Sequence, residues 1–504
     1  MFTSVSRGLR PGWLKAHRAG PLAAAACLLA SACAVGPNFS QPAPPRLDRY
    51  GDPPGQRVLT GDGATQTIAL GQPVDPAWWR QFKSPSLDAL VAAGLKNSPT
   101  LEAAKAVLEA SHNQARAGAG IFFPQLSGSA SAEREQYSPV RLGQAAKPST
   151  FNLYTVTGSV AYAIDLFGGE RRNVEALLAA RDRQRYAEGA AWLTLTGNIV
   201  DAAIARAGYA DEADALADIV DLETAQRDSL TALYHGGAGA LADVLVVEQQ
   251  LAIDRQSVAQ ARQRQAAAVT LLKTLLGLEN GEVTPAAPSL ADLATPPGAP
   301  VSLPSQIVRQ RPDILQAEAM VHQSSAQLGV ATAALFPSIS ITGDYGANSL
   351  SLGKLESPQG VFWGIGPAIT VPIFQGGTLW FGRKAAVANL RAAWADYRQT
   401  VLAALEQTAD AMKALETDAQ VSAASRASFD AAAAGARLAQ ANLAGGIVST
   451  TSAATQQIAA DRARLLLVAA RSQWLQDVVT LDLASGGGWD GAEGATRVAA
   501  GDAK

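Results

Sequence analysis

The chain has 504 residues, a net charge of −3 and 17% charged residues. It carries no basic run of five or more, which excludes an obvious nucleic-acid surface, and it is longer than one modest domain needs. The only cysteines are Cys27 and Cys33, so everything after residue 33 lacks a thiol nucleophile, a disulfide framework and a cysteine-ligated zinc site.

In chain order, residues 1–32 read as a secretory signal. Arg7, Arg10, Lys15 and Arg18 precede the apolar stretch PLAAAACLLA at 21–30, which is too short to span a membrane comfortably. LASAC follows and ends at Cys33, so small residues precede a cysteine as in a bacterial lipoprotein box. Cys33 is then the acylated first residue of the mature chain. An ordinary cleaved signal with a chance cysteine stays open beside it, as does Cys27 inside the apolar run. No later run of ~20 apolar residues exists, which excludes a mature inner-membrane helix but not a β-type membrane protein.

Proline then punctuates the chain. Nine prolines between Pro37 and Pro85 predict an extended, largely irregular segment over 33–85. A second cluster, Pro285 to Pro304, marks a linker over 281–304. No proline lies between Pro148 and Pro285 or after Pro372, and these two tracts predict long helices.

Two halves, 86–280 and 305–489, repeat one pattern. Each opens with a helix (about 86–119, then 305–334) stopped by a Phe-Pro pair: Phe123 and Pro124, then Phe336 and Pro337. The register is strict: Pro99, Ala104, Ala106, Ser111, Gln114, Phe123, Pro124 and Ser127 recur 213 positions later. Two alternating segments follow, then a very long helix (about 170–233, then 379–443). A glycine pair breaks it, Gly236 and Gly237 in one half and Gly445 and Gly446 in the other. A last helix (about 240–277, then 450–484) closes each half. A helix of some 60 residues is roughly 90 Å long and must pack beside others as a coiled coil or helical barrel. Residues 490–504 read as a disordered tail.

The alternating segments are the sharpest local signal. Along 153–166, Tyr154, Val156, Val160, Tyr162 and Ile164 share one face, against Thr155, Thr157, Ser159 and Ala161. Segments 338–345 and 361–373 alternate likewise, the latter interrupted by Pro367, and 125–134 alternates weakly. Both a transmembrane strand and a half-buried soluble sheet fit this period. Four strands cannot close a barrel, and an open edge is not tolerated in lipid. Two copies give eight strands with a filled interior, and three give twelve with a lumen.

RQRPDILQAEA (309–319), ALFPSISITGDYG (334–346), VPIFQGG (371–377) and LASGGGW (483–489) resemble the outer membrane factor family. More narrowly, they resemble its TolC-like efflux lipoproteins of the NodT type. CAVGPNFSQP (33–42) is similar to the family's start after the acylated cysteine, and IDLFGGERR (164–172) to the first-half partner of VPIFQGG. The resemblance covers nearly the whole mature chain. It implies an α+β membrane protein, a homotrimer whose 12-stranded transmembrane β-barrel takes four strands from each chain. A periplasmic helical barrel roughly 100 Å long would continue it. It implies a passive exit channel of a tripartite efflux pump in the Gram-negative outer membrane, without enzymatic activity or cofactor. Its partners would be outer membrane lipid, a periplasmic adaptor (a membrane fusion protein) and an inner-membrane transporter of the resistance-nodulation-division type. A duct for protein secretion and a poreless periplasmic coiled-coil scaffold are the alternatives.

The resemblance also assigns residues. Tyr234, Gly236, Gly237, Asp243, Val244 and Leu245 match the first periplasmic tip, where the adaptor docks, and Gly445, Gly446 and Ser449 match the second. Glycine is expected at these turns for its backbone alone. In relatives with a narrow tip, an acid and a base follow the second turn, and this chain has Thr455 and Ile458 there. The nearest acid is Asp461. Asp243 and Glu248 can form a gate ring in three copies if they face the lumen, and are otherwise a solvated helix face. Phe123, Pro124, Phe167, Phe336, Pro337 and Phe374 mark strand–helix junctions. Trp363 and Trp380 suit a membrane interface, whereas Trp78 and Trp79 suit packing on the periplasmic body. His17, His112, His235 and His322 are scattered without metal-ligand spacing.

Overall fold

The computed structural model describes residues 34–47, 49–50, 57–72, 74–145, 147–279, 281–283 and 285–489. The signal region, Cys33 and the tail lie outside them. In chain order the elements are β1 (Arg57–Gly61), β2 (Ala64–Leu70), α1 (Pro85–Asn97), α2 (Pro99–Ala119), β3 (Gln125–Tyr137), β4 (Ser149–Ile164), α3 (Gly169–His235), α4 (Leu241–Leu275), β5 (Gly298–Val301), α5 (Pro304–Gln310), α6 (Pro312–Ala333), β6 (Ser338–Ser349), β7 (Val361–Thr370), α7 (Thr378–Ala444) and α8 (Thr450–Ala484). The chain is mostly helical. Helices α3 and α7 each have 67 residues and α4 and α8 each have 35.

The structure adds three details. The opening helix of each half is two helices, because Ser98 and Arg311 precede prolines and turn extended, with ψ of 119° and 123°. Segment 33–85 is irregular over most of its described residues, as expected, and also holds a short sheet. β1 and β2 pair antiparallel, and β2 pairs in parallel with β5 (Thr67 with Gly298), so the Pro-rich 281–304 supplies a strand as well. Strand limits also shift. β4 begins four residues earlier than the alternation predicts, and β7 stops at Thr370, before Val371 and Pro372.

One unit comprises residues 40–114, 178–322 and 391–504. Its core joins Trp78, Trp79 and Phe82 to Leu87 and Leu90 of α1, Ile199 and Ile204 of α3, and Trp474 and Val478 of α8. Burial of Trp78 and Trp79 agrees with packing on the helical body. Trp474 Nε1 donates to Gln66 Oε1 of β2 at 3.1 Å, so the small sheet is tied to α8. The GGGW ending is a left-handed turn: Gly486, Gly487 and Gly488 have φ of +99°, +55° and +64°, which favour glycine. A Cβ on Gly488 would sit 2.4 Å from the Asp75 carbonyl carbon. The turn lays Trp489 against Gly189 and edge-on to Tyr186, 5.9 Å between ring centres.

Carboxyls are held in this core. Burial pushes Asp482 up to about 8, while the Gln81 amide that donates to it pulls the other way. Asp418 is pushed to about 8 by burial first, then by its hydrogen bond with Asp477. A raised carboxyl pKa means that the folded state favours the neutral form. That stability is complete below the ordinary value of 3.8 and is lost as pH rises through about 8. The apparent Tm of Asp482→Asn, measured calorimetrically in detergent, should therefore match or trail the parent at pH 5 and exceed it by a few degrees at pH 8. An equal difference at both values would contradict the assignment.

Candidate functional site

A second unit comprises residues 1–39, 115–177 and 323–390 and contains an antiparallel sheet in the order β3-β4-β6-β7. The register runs without a bulge through all three pairings. Directly opposed residues point to the same side. Leu126, Val160, Gly343 and Ile365 form one row, and Gly128, Gly158, Tyr345 and Trp363 the next. The other face carries Ser127, Ser159, Asp344 and Gly364, then Gln125, Ala161, Thr342 and Gly366. The register thus sorts the alternation of four separate segments into one apolar and one small polar side.

The apolar side is exposed in the single chain: Leu126 at 83%, Trp363 at 73% and Ile365 at 72%. A soluble sheet turns such a face to a core. Among the described residues, both outer strands, β3 and β7, also lack a second neighbour. Their free edges carry unpaired backbone donors and acceptors.

Each strand pair is tied to its helices by aromatic and polar contacts. Phe167 and Phe336, one from each half, stack at 4.8 Å with 20° between ring planes. Asp165 accepts from the backbone N–H of Glu170 and Arg171 at 3.1 and 2.9 Å and so caps α3. A 540 Å³ cavity opens beside them, lined among others by Asp165, Phe167, Glu170, Phe336 and Gln375. Phe123 and Phe374 are exposed, at 68% and 89%. Val35 N–H donates to the Phe167 carbonyl at 3.1 Å, and Gly36 lies against Gly329, so the N-terminal strand of chain docks at this junction.

In the helical unit, the two long hairpins end in matching turns. Gly236, Gly237 and Ala238 donate backward to the Ala232, Tyr234 and Leu233 carbonyls. Gly445, Gly446 and Ile447 do the same to Ala441, Leu443 and Asn442. Gly237 and Gly446 are left-handed, with φ of +74° and +72°. Ser449 caps α8, its Oγ accepting from Ser452 N–H at 3.1 Å, whereas Ala240 gives α4 no side-chain cap. Tyr234, Leu245 and Ile447 are exposed around the turns, whereas Val244 is 7% exposed and faces the helix packing.

The family profile described as outer membrane efflux protein matches residues 90–278 and again residues 303–487. The chain belongs to the outer membrane efflux protein family. This is a family of outer membrane channels rather than of enzymes. Nodulation protein T of Rhizobium leguminosarum bv. viciae is 27% identical over 472 residues, covering 92% of each chain. Outer membrane protein OprJ of Pseudomonas aeruginosa is 27% identical over 474 residues, covering 92% of this chain and 94% of its own. The solved outer-membrane channel OprN superposes with a TM-score of 0.75 at 26% identity, over 91% of this chain and 100% of that one. The efflux role and outer membrane location expected from the sequence are thereby established.

In this outer membrane efflux protein, the residues considered for a gate differ in exposure. Asp243 and Glu248 are exposed. Asp461 is buried, accepts from Gln457 Nε2 at 3.1 Å and does not reach an open surface. Thr455 is exposed, with its hydroxyl bonded to Thr451 O and met by the Gln226 amide at 3.4 Å. Sequence reasoning missed Arg462, whose Nη2 lies 3.1 Å from both Glu223 Oε1 and Asp254 Oδ2 and so links α8 to α3 and α4. No local signal announces a pairing across 239 residues. Among the described residues, no group of three or more His, Cys, Asp or Glu is arranged to hold a metal ion.

Burial, and then the Asp254 carboxyl beside it, push Glu223 up to about 7, while Arg462 pulls it down. Removing Arg462 lets that value rise further, so the folded form loses more stability on ionisation. The Tm deficit of Arg462→Ala should therefore be small at pH 5, where Glu223 is neutral, and clearly larger at pH 8. A deficit independent of pH would contradict this account.

Proposed function

We propose that three copies of this chain close a twelve-stranded barrel in the outer membrane and act as the passive exit duct of a tripartite efflux pump. The observation that carries this is the two-sided sheet with both edges free. In hydrocarbon, every backbone donor and acceptor of β3 and β7 needs a partner, and a second copy's β7 and β3 supply it. The apolar face meets lipid and the small polar face lines water. Strands of 10 to 16 residues suit the thickness to be crossed.

In this proposal residues 86–280 and 305–489 are two repeats joined by 281–304, and α3, α4, α7 and α8 build a periplasmic tunnel. The exposed Tyr234, Leu245 and Ile447 around the glycine turns form the adaptor contact, with Val244 and Ser449 holding the turns beneath. The adaptor joins the duct to an inner-membrane transporter of the resistance-nodulation-division type, which supplies the energy. Asp243 and Glu248 are the acids available for a gate ring, and closure otherwise rests on packing. Ala34 lies against Gly168 at the strand–helix junction. An acyl group on Cys33, the residue before Ala34 in the chain, would anchor the protein to the membrane.

The test uses neighbouring residues of one strand. Ile365→Arg, midway along β7, places a charge on the lipid side, where it costs about 2–4 kcal/mol near mid-bilayer, and should strongly reduce the assembled protein recovered from outer membranes. Gly364→Arg, on the lumen side where a Cβ meets nothing within 4 Å, should leave recovery near the parent level. Equal recovery of both variants would overturn the assignment of faces and favour the poreless scaffold.

A further inference from the structure

We propose that the wall of the barrel selects for cationic over anionic cargo, with Asp344 as its mid-strand charge. This rests on the trimeric barrel proposed above, and it names the chemical class of solute that such a barrel favours. The unbroken register assigns every strand residue to a side. On the polar side, the ionisable residues with carboxyl or basic groups are Glu133, Glu135 and Asp344, all acidic. That side carries no Lys or Arg anywhere along β3, β4, β6 and β7. The one basic residue in these strands, Arg134, falls on the opposite side with Leu126.

Asp344 lies between Ser159 of β4 and Gly364 of β7. It is exposed, and a Cβ on Gly364 would meet nothing within 4 Å, so no neighbouring side chain covers the carboxylate. None of the three acids pairs with a base among the described residues, so their charge is not cancelled locally. Glu133 faces Leu153, further toward the β3–β4 loop, and so lies on a separate level from Asp344.

Twelve strands about 4.8 Å apart and tilted about 40° enclose a cylinder of radius about 12 Å. The Debye length is about 10 Å at 0.1 M salt, so a ring of three carboxylates still acts at the axis. The resulting preference for K⁺ over Cl⁻ is about threefold at 0.1 M. It should grow at 0.01 M and vanish near 1 M, where screening acts over about 3 Å. A net negative wall attracts cations as rings of acids do in cation channels.

Reversal potentials of the detergent-extracted protein in planar bilayers, under a KCl gradient, test this. Single-channel steps and particle mass report independently on the barrel. The parent should favour K⁺, Asp344→Asn should reduce the ratio at least twofold with steps and mass unchanged, and Asp344→Lys should bring it to unity or below. Asp243→Asn, at the tip, separates the two levels of charge. Steps with a ratio of unity, a ratio unmoved by Asp344→Asn, or a ratio moved only by Asp243→Asn would overturn the proposal while leaving the barrel intact. A particle mass of one chain, with no steps, would remove the barrel itself, and the proposal with it.

Discussion

Backbone hydrogen bonding sets the terms for this molecule. A strand can enter a hydrocarbon layer only if each N–H and C=O finds a partner, and four strands in a row leave two edges unmet. The sequence makes the sheet unfit for water alone as well, since its apolar side is fully presented by Leu126, Tyr345, Trp363 and Ile365. The proposed closure with further copies of the same chain inside a bilayer would meet both deficits at once. A duct would follow from that closure, because a ring of small polar side chains then surrounds water.

The helical unit meets a different demand. Long helices must lie close together and end without exposed carbonyls. Alanine permits close approach, and the β1–β2 turn shows the limit: a Cβ on Gly61 would lie 2.6 Å from the Ala419 carbonyl oxygen of α7. Glycine in the left-handed region closes both hairpins and frees the last carbonyls for backward hydrogen bonds. Acids held neutral by burial, Asp482 and Asp418 among them, make this packing more secure in mild acid than in mild base.

Much of this was legible in the sequence because it is encoded over short distances. Proline-free tracts gave the long helices to within two residues, since proline exclusion and glycine turns act locally. Period-2 alternation sorted the strand faces before any register was known. What was hidden depends on contacts distant in sequence. β5 pairs with β2 across some 230 residues, and both lie in Pro-rich stretches whose composition suggests irregular chain. The breaks at Ser98 and Arg311 were marked by the following prolines, which the sequence reading used for the repeat register alone. Arg462 gave no sign of Glu223 and Asp254, because a charge on a helix face is usually solvated. Asp461 shows the reverse, an acid that looked available and is buried.

The most direct measurement is the mass of the particle extracted from outer membranes in mild detergent, by native mass spectrometry after detergent removal. Closure of a twelve-stranded barrel predicts three mature chains per particle, with no stable species of one. A well-folded single chain, or a particle of two, would contradict closure by edge pairing and would leave the apolar face of the sheet without its proposed role.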